Sequence, residues 1–403
     1  MSDGQNREPS RLHLAVVAAV SCGVLLLLIG GPVQFLNTAF GIWFTEVFAF
    51  LGAGWILLRR AGEDPLSYVG ANRFDPMEGL LGFALGAANF IGVVVPLQYL
   101  QQPLIPQWLK DQFDASRLFQ NQRPVEIVLI VLAISTAAPF CEEFVFRGII
   151  QNGLTTRFRP RVALVMTAVL FSAYHLDPVG FVARVELGVL FGALYQRSGT
   201  IWPGAMAHAA NNLVSASLFL IAQRVAAPTQ EEPAWQSVAL LSLIGLTLMG
   251  ALWRAVTRRH PESLDSIAPE PHAPPSDPPA EAPGPQDAAL DSMESRSPVP
   301  SLGRLLYPWL AAAGAALLLL FALDRRGVAL NLYDAAYYLP ALENNASDAD
   351  RKAREQLRAV RARARRGEVS IEQYLNQRKA LRARFYEEGR SRKPASQPRS
   401  PLP

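Results

Sequence analysis

The stretch that decides the fold runs from Val125 to Ile150 and reads VEIVLIVLAISTAAPFCEEFVFRGII. It is apolar over a length that crosses a bilayer core of roughly 30 Å, for which a helix needs about 20 residues. Its second half nevertheless carries three charged residues, Glu142, Glu143 and Arg147. Charged side chains inside a membrane cost at least a few kcal/mol each, so they need a partner or a function. The stretch therefore predicts a membrane helix that presents a polar site.

Outward from this stretch, the rest of the chain repeats the same pattern. Half of the 403 residues are apolar, and they gather into blocks close to the length of a membrane span. The nine blocks run about 12–31, 38–58, 78–99, 125–150, 161–176, 179–196, 201–222, 236–254 and 305–323. The sequence therefore predicts an all-α, polytopic integral membrane protein. Its bundle has about eight transmembrane helices, and a ninth helix lies near the C terminus.

Composition divides the chain into four parts. Residues 1–258 hold the first eight apolar blocks, and the motifs described below fall within a core of about 80–225. Residues 259–302 contain eleven prolines among Ser, Asp, Glu and Ala, a composition that predicts a disordered linker. Residues 303–323 form the ninth block, an additional transmembrane helix. The tail, 324–403, is basic and predicted to be partly helical, with a capping box at its Ser370 and Gln373.

The net charge of +4 conceals an asymmetry between the tail and the rest of the chain. From Asp324 to the end there are 18 Lys or Arg against 10 Asp or Glu, so the tail carries +8 and the remainder −4. A basic segment beside a membrane predicts anionic lipid as a partner. Because the chain has no nucleic-acid recognition motif, nucleic acid is not an expected partner. No feature of the sequence predicts the oligomeric state.

The short loops predict the orientation in the membrane. Arginines follow the second, fourth, sixth and eighth blocks, at Arg59, Arg157, Arg197 and Arg258. Loops rich in Lys and Arg usually face the cytoplasm. The N terminus and the Pro-rich linker are therefore predicted to be cytoplasmic, with the chain in the inner or plasma membrane of the cell. A ninth span would then place the basic tail outside.

The second half of this stretch contains one carboxylate that can pair within the helix and one that cannot. Glu143 and Arg147 are four residues apart, on one helical face, where they can form an ion pair. Glu142 projects about 100° away from that face. A carboxylate without a partner in an apolar site can act as a general base. The alternative is that the charges mark only the loop-side end of a helix that Pro139 starts or kinks.

Two of the five histidines lie in apolar blocks. His175 follows Phe171 by four residues, and His208 precedes Asn212 by four. A lone buried histidine is more often structural than catalytic, but two of them beside the glutamates suggest chemistry. Glu142 and His175 can hold and deprotonate a water, and His208 and Asn212 can donate to a tetrahedral oxyanion. No H-E-x-x-H, G-x-S-x-G or Walker A motif offers a competing chemistry.

These residues resemble the motifs of the CPBP family of intramembrane proteases. That family includes the type II CAAX prenyl endopeptidases and the bacterial Abi-like immunity proteases. Its Glu-Glu-x-x-x-Arg motif is present as Glu142 to Arg147, Phe-x-x-x-His as Phe171 to His175, and His-x-x-x-Asn as His208 to Asn212. Each motif alone is weak, but all three in this order, each in an apolar helix, are specific. The resemblance does not extend to the linker or the tail.

The resemblance implies a membrane endopeptidase whose site is reached from the cytoplasm. It implies that Glu142 activates a water with His175, and that His208 and Asn212 form the oxyanion site. The residues implied to support the site are Glu143, Arg147 and Phe171. The family has been classed as metalloproteases, so zinc held by Glu142, His175 and His208 is the alternative. We favour no metal and no other cofactor, because Asn212 is a poor zinc ligand but a good oxyanion donor.

The resemblance implies a membrane protein or a lipidated, C-a-a-X-like peptide as the substrate. Prenylated C-a-a-X proteins are a eukaryotic feature. The Ala, Arg and Pro content is typical of a bacterium with a GC-rich genome, in which we expect the substrate to be another membrane protein or peptide. Two other function classes stay open at this point. One is a non-catalytic membrane scaffold or regulator, and the other is a proton-coupled transporter that uses the glutamates and histidines as a relay.

Overall fold

The structure, a computed structural model, describes residues 10–119, 122–225, 234–261, 302–337, 339 and 348–391. In these ranges the chain is helical and contains no β-strand. The linker predicted at 259–302 lies outside the described residues except at its two ends. Eight helices correspond to the first eight apolar blocks: α1 Arg11–Leu36, α2 Thr38–Arg60, α3 Pro76–Leu104, α4 Pro124–Thr155, α5 Pro160–Tyr174, α6 Phe181–Ser198, α7 Trp202–Val225 and α8 Trp235–Arg259. Three more follow: α9 Leu302–Ala336, α10 Asp348–Arg366 and α11 Ile371–Ser391.

Six of the described helices are long and apolar enough to cross a membrane, namely α1 to α4, α7 and α8. The prediction of an all-α, polytopic membrane protein is therefore confirmed. Two of the eight predicted spans do not meet this standard. α5 has 15 residues, about 22 Å of helix, and α6 carries the charged residues Arg184, Glu186 and Arg197. These two helices pack against each other.

Local sequence explains where the helices begin and end. The Asp75 carboxylate accepts hydrogen bonds from the backbone N–H groups of Met77 (2.7 Å) and Glu78 (3.4 Å), so it caps the start of α3. Proline occupies the first turn of α3, α4 and α5, where its missing N–H costs nothing. Gly199 adopts a left-handed conformation (φ 67°) at the end of α6, as helix-terminating glycines do.

Several helices contain π-helical turns, in which the backbone is wider than in an α-helix. In α4 they cover Ala133–Ala137 and Phe144–Gln151, on either side of the paired glutamates. Single π-helical turns often occur at functional sites, because they shift the helical face on which side chains project. The helix that decides the fold is thus also the one whose regular geometry is interrupted twice.

Successive helices alternate in direction, so the Arg-rich loops share one end of the bundle, which we call the basic end. It comprises the loops at 61–75, 156–159 and 199–201 and the residues 260–261. Polar contacts join these segments. Arg259 pairs with Asp75 (2.6 Å), His260 pairs with Glu78 (2.7 Å), and Arg197 donates to the His260 carbonyl (3.1 Å). The opposite, distal end comprises Asn37 and the connecting residues 105–119 and 122–123.

Two glycines bring α3 and α7 into backbone contact. A Cβ atom on Gly82 would lie 2.3 Å from the carbonyl oxygen of Pro203, and one on Gly86 would lie 2.0 Å from that of Ala207. Gly82 and Gly86 form the G-x-x-x-G spacing that allows membrane helices to approach closely. The contact fixes the position of α7, which carries His208.

The C-terminal helices form a separate small module. α9 is kinked at Asp324 (φ −142°, ψ 51°), and beyond the kink it packs with α10 and α11 around a core that includes Leu330, Leu357 and Tyr374. The predicted capping box is confirmed: Gln373 N–H donates to the Ser370 hydroxyl and the Ser370 N–H donates to the Gln373 side chain, both at 3.1 Å. We refer to residues 325–337, 339 and 348–391 as the C-terminal module.

The module contacts the distal end of the bundle through a polar network. Arg365 pairs with Glu126 at the start of α4 (2.7 Å) and with Asp324 (2.5 Å). Asn37 donates to Asp324 (3.0 Å), and the Asn331 amide donates to the Leu36 carbonyl (2.7 Å). We call Asn37, Glu126, Asp324 and Arg365 the docking network. The described part of the C-terminal module therefore lies at the end of the bundle opposite the Arg-rich loops.

Candidate active site

A cavity of about 600 Å³ lies within the bundle. Glu142 of α4, His175 at the end of α5, and His208 and Asn212 of α7 all line it. The four residues that the sequence predicts for catalysis are far apart along the chain, yet three helices bring them to one cavity.

The ion pair predicted within α4 is present and fully buried. The Glu143 Oε1 and Arg147 Nη1 atoms are 2.9 Å apart, and neither side chain is exposed. Arg147 Nη2 also donates to the Gly188 carbonyl of α6 (3.1 Å), and its guanidinium lies over the Phe171 ring, 4.7 Å from the ring centre. Removing one member of such a pair is costly, because the other charge is left buried without compensation. Through the contacts of Arg147 with Gly188 and Phe171, the pair also joins α4 to α5 and α6.

His208 lies between the two glutamates of α4. Its Nδ1 is 3.4 Å from Glu143 Oε1, and its Nε2 is 3.9 Å from Glu142 Oε2. The ring is stacked on Phe191 at 4.8 Å and meets the edge of Phe171 at 5.6 Å. Aromatic contacts on two sides leave the imidazole little freedom to rotate. One ring nitrogen thus faces the structural ion pair and the other faces Glu142.

The hydrogen bond of His175 decides which of its ring nitrogens can act as an acceptor. Nδ1 is 3.0 Å from the Phe171 carbonyl, and a carbonyl oxygen can only accept, so Nδ1 is the donor. In a neutral imidazole the other nitrogen, Nε2, is then unprotonated and can accept a hydrogen bond from a water. Phe171 also packs against the His175 ring, with ring centres 5.0 Å apart. Phe171 therefore contacts Arg147 and both histidines.

Glu142 is the carboxylate without a committed partner. It is 8% exposed, and its Oε2 atom is buried with no hydrogen-bond partner among the described residues. Buried polar atoms in proteins are nearly always hydrogen bonded, and those that are not call for an explanation such as a catalytic role or a bound water. The arrangement leaves Glu142 able to bind a water in the cavity.

Asn212 is held by the π-helical turn of α4. Its Nδ2 donates to the Ile134 carbonyl (2.7 Å), and its Oδ1 accepts from the Asn211 amide (3.2 Å). A side-chain amide has two N–H groups, so one N–H of Asn212 remains for another acceptor. The anchored amide can therefore offer a single, fixed donor to the cavity.

Two further charged residues line the cavity, and both lie outside the three sequence motifs. Glu46 of α2 is 6% exposed, and its Oε2 has no hydrogen-bond partner among the described residues. Arg184 of α6 lies near the turn that carries His175. Both are charges inside apolar blocks, which is a sequence signal for a functional site in a membrane protein.

The alternative set of zinc ligands does not come together as a metal site among the described residues. Across 10–119, 122–225 and the other described ranges, no three His, Cys, Asp or Glu side chains converge closely enough to hold a metal ion. Glu142, His175 and His208 share the cavity without meeting at one point. We therefore derive no step through a metal.

The cavity lies in the half of the bundle nearer the distal end. Its lining includes Gln34 near the end of α1, Gln98 near the end of α3, and Phe119 in the distal loop. None of the described residues that line it belongs to the loops of the basic end. Two predictions therefore exclude each other: if the Arg-rich loops are cytoplasmic, the cavity extends toward the opposite side of the membrane.

Comparison with known proteins adds one match. Residues 124–214 match the family described as "Type II CAAX prenyl endopeptidase Rce1-like". This segment contains all three motifs, so the predicted resemblance to the CPBP intramembrane proteases is confirmed. No curated protein and no solved structure matches the chain significantly. The family match supports a membrane protease, a hydrolase that acts on peptide bonds.

Proposed function

We propose, on the premise that residues 124–214 are Rce1-like, that this protein is an intramembrane endopeptidase that cleaves with a water activated by Glu142 and His175. One observation carries the proposal. Glu142, His175, His208 and Asn212 line the same cavity, and the Glu142 carboxylate reaches it with an oxygen that no described residue bonds. A scaffold has no need to bury an oxygen without a partner, because the burial costs stability.

The proposed first step is the attack of water on the peptide carbonyl. A water that donates to the Glu142 carboxylate and to Nε2 of His175 is held with its lone pair directed at the substrate. Glu142 takes the proton as the new C–O bond forms, and the carbonyl oxygen becomes an oxyanion. His208 Nε2–H and the remaining N–H of Asn212 donate to that oxyanion.

The second step breaks the peptide bond. The proton held by Glu142 is transferred to the leaving nitrogen, the C–N bond cleaves, and the tetrahedral intermediate collapses to a carboxylic acid. The products are an amine and a carboxylic acid, which exchange a proton to give an ammonium and a carboxylate, and Glu142 returns to its ionised form. One residue thus serves first as base and then as acid.

Glu143 and Arg147 have an orienting role in this proposal. Arg147 pairs with Glu143, whose Oε1 also lies 3.4 Å from Nδ1 of His208. A carboxylate can only accept, so Glu143 favours a proton on Nδ1 of His208 and fixes the orientation of the ring. We propose that Nε2 donates to the oxyanion in the imidazolium form, in which both ring nitrogens carry a proton.

We propose that the reaction needs no metal. The support is chemical: Asn212 is a good amide donor and a poor zinc ligand. Adding phenanthroline to the purified protein should leave cleavage unchanged. Loss of activity that zinc restores would contradict this part of the proposal.

The proposed substrates are membrane proteins or lipidated, C-a-a-X-like peptides. The cavity walls are largely apolar and include Phe50, Phe90 and Phe219, which suits a lipid chain or an apolar peptide. We also keep anionic lipid as a proposed partner of the basic C-terminal module.

The test of the proposed function compares two purified variants in detergent. Wild type should cleave a prenylated C-a-a-X reporter or a protein of the host membrane, and Glu142→Gln should lower kcat by about 10²- to 10⁴-fold. Glu372→Gln, which changes an exposed glutamate of α11, is the matched control and should cleave like wild type. Equal cleavage by wild type and Glu142→Gln would remove the basis of the proposal. Proton flux without cleavage would instead favour the transporter.

Cysteine labelling determines the side of the membrane that the cavity faces. The native Cys22 and Cys141 are buried, so they give little background. With the N terminus in the cytoplasm, as we propose, a membrane-impermeant maleimide should label Gln112→Cys at the distal end on intact cells. It should label Arg157→Cys at the basic end only after permeabilisation. The reverse pattern would place the cavity on the cytoplasmic side.

A further inference from the structure

The cavity contains two carboxylates and one guanidinium. Glu46 and Glu142 line it, and Arg184 is the one Lys or Arg among the described residues that do so. An anionic group of a substrate is repelled by the two glutamates and attracted by Arg184. The distribution of charge therefore favours a single position for such a group.

Arg184 is held in place by the turn between α5 and α6. Its Nη2 lies 2.9 Å from Asp177 Oδ2 and also donates to the Asp177 carbonyl. A Cβ atom on Gly180 would lie 2.3 Å from Nη1 of Arg184, so the guanidinium rests on a backbone without a side chain. A guanidinium that is already fixed loses little entropy when it binds an anion.

Part of the guanidinium has no committed partner. Both bonds to Asp177 use Nη2, and Nε of Arg184 is buried with no hydrogen-bond partner among the described residues. A guanidinium has five N–H donors in a planar fork that matches the two oxygens of a carboxylate. Donors of Arg184 therefore remain for a second carboxylate.

We propose that Arg184 binds the free C-terminal carboxylate of the peptide that the enzyme cleaves. The inference rests on the proposed function and narrows its substrate class. A C-a-a-X-like peptide ends in a carboxylate a few residues beyond the bond to be cleaved, so that carboxylate enters the cavity with the leaving segment. The enzyme then selects chain ends and discriminates against internal segments of membrane proteins.

The placement of Arg184 links recognition to catalysis. The turn that holds Arg184 through Asp177 begins at His175, the proposed partner of the catalytic water. A carboxylate bound to Arg184 therefore sets how far the scissile bond lies from that water. Arg184 is a specificity-determining residue in this account, because it touches the substrate away from the reacting atoms.

The test measures binding to the Glu142→Gln variant, so that turnover is not needed. The probes are two farnesylated C-a-a-X peptides, identical except that one ends in a carboxylate and the other in a carboxamide. The acid should bind about 10- to 100-fold more tightly than the amide. Adding Arg184→Met should abolish the preference, and Arg184→Lys should keep part of it. Arg197→Met, at the other end of α6, is the matched control and should keep the preference whole.

Three outcomes would overturn the inference. They are equal affinity for the acid and the amide, binding of neither peptide, and a preference that survives Arg184→Met. If Arg184 had only a structural role, Arg184→Met would weaken the binding of both peptides alike. The ratio of their affinities would then stay unchanged. Failure of the proposed function looks different: the acid would bind selectively, but wild type would not cleave it.

Discussion

Two clusters of buried polar residues differ in how completely they are bonded. In the docking network, every carboxylate oxygen accepts a hydrogen bond. Glu126 accepts from Arg123 and Arg365, and Asp324 accepts from Asn37, Gly327 and Arg365. In the cavity, Glu142 Oε2 and Glu46 Oε2 have no hydrogen-bond partner among the described residues.

The difference separates a structural role from a functional one. Carboxylates whose oxygens all accept hydrogen bonds have no acceptor left for a ligand, so the docking network serves to hold the C-terminal module on the bundle. A cluster with unused donors and acceptors is less stable by itself, and its free atoms are available to a water or a substrate. Changes in the two clusters should therefore affect different properties of the protein.

The largest effect is expected for Arg147→Met, which leaves Glu143 buried without its partner. Breaking a buried pair costs about 3–5 kcal/mol, a large share of the roughly 5–15 kcal/mol that keeps a typical protein folded. Thermal unfolding in detergent should show a much lower midpoint and little folded protein. The double variant Glu143→Gln with Arg147→Met should recover part of the loss, since no unpaired charge remains. If Arg147→Met alone were as stable as wild type, the ion pair would have no structural role.

The next largest effect is expected for Asn212→Ala, which removes one proposed oxyanion donor. The kcat for the reporter should fall about 10²- to 10³-fold with little change in KM, because the donor acts mainly in the transition state. The unfolding midpoint should change far less than with Arg147→Met. Ser215→Ala, which alters another cavity residue of α7, is the control and should stay near wild type. A change confined to KM would instead assign Asn212 to substrate binding.

A moderate effect on the module, with almost none on catalysis, is expected for Arg365→Met. The variant loses charged hydrogen bonds to Glu126 and Asp324, worth roughly 1–3 kcal/mol. Hydrogen exchange in α10 should accelerate about 10-fold or more, while kcat/KM for the reporter should stay within about twofold. Arg366→Met is the control, because Arg366 pairs with Glu368 at the surface, where ion pairs contribute little. Loss of activity in Arg365→Met would mean that the module takes part in the site.

The smallest effect is expected at the basic end, where pH can test the cap of α3. Hydrogen bonds from the Met77 and Glu78 backbone and the nearby Arg259 lower the pKa of Asp75 below its ordinary 3.8. A carboxyl whose folded pKa is lowered contributes stability above its unfolded pKa, and the contribution disappears as pH falls through the folded pKa. Asp75→Asn should therefore lower the unfolding midpoint slightly at neutral pH. The difference in unfolding midpoint from wild type should vanish well below pH 3.8. A difference that stays the same at every pH would show that ionised Asp75 does not stabilise the start of α3.

The sequence predicted the parts of the site that rest on local pattern. Glu143 and Arg147 pair because they lie one helical turn apart, and His208 and Asn212 share a face for the same reason. Glu46 and Arg184 give the same kind of signal, a charge within an apolar block, but each stands outside the three motifs. Weighing every charge in the apolar blocks alike would have identified them.

Other features follow from tertiary packing that local pattern does not encode. Arg365 pairs with Glu126, which is 239 positions earlier in the chain, and no periodicity relates the two. The stacking of Phe191 on His208 depends on how α6 crosses α7. The location of the cavity toward the distal end likewise depends on where the helices separate. The sequence could therefore predict the helices and the motif residues, but not the side from which the site is reached.

The contact of Gly82 and Gly86 with α7 has a consequence for the lipid environment. Many membrane proteins respond to bilayer thickness because their helices tilt when the hydrophobic lengths do not match. Here α3 and α7 touch backbone to backbone, so a thinner or thicker bilayer tilts them together and the depth of His208 relative to α3 stays the same. Turnover should accordingly vary little across reconstituted bilayers of different acyl-chain length. A change in the lipid composition of the membrane should therefore leave the geometry of this site unchanged.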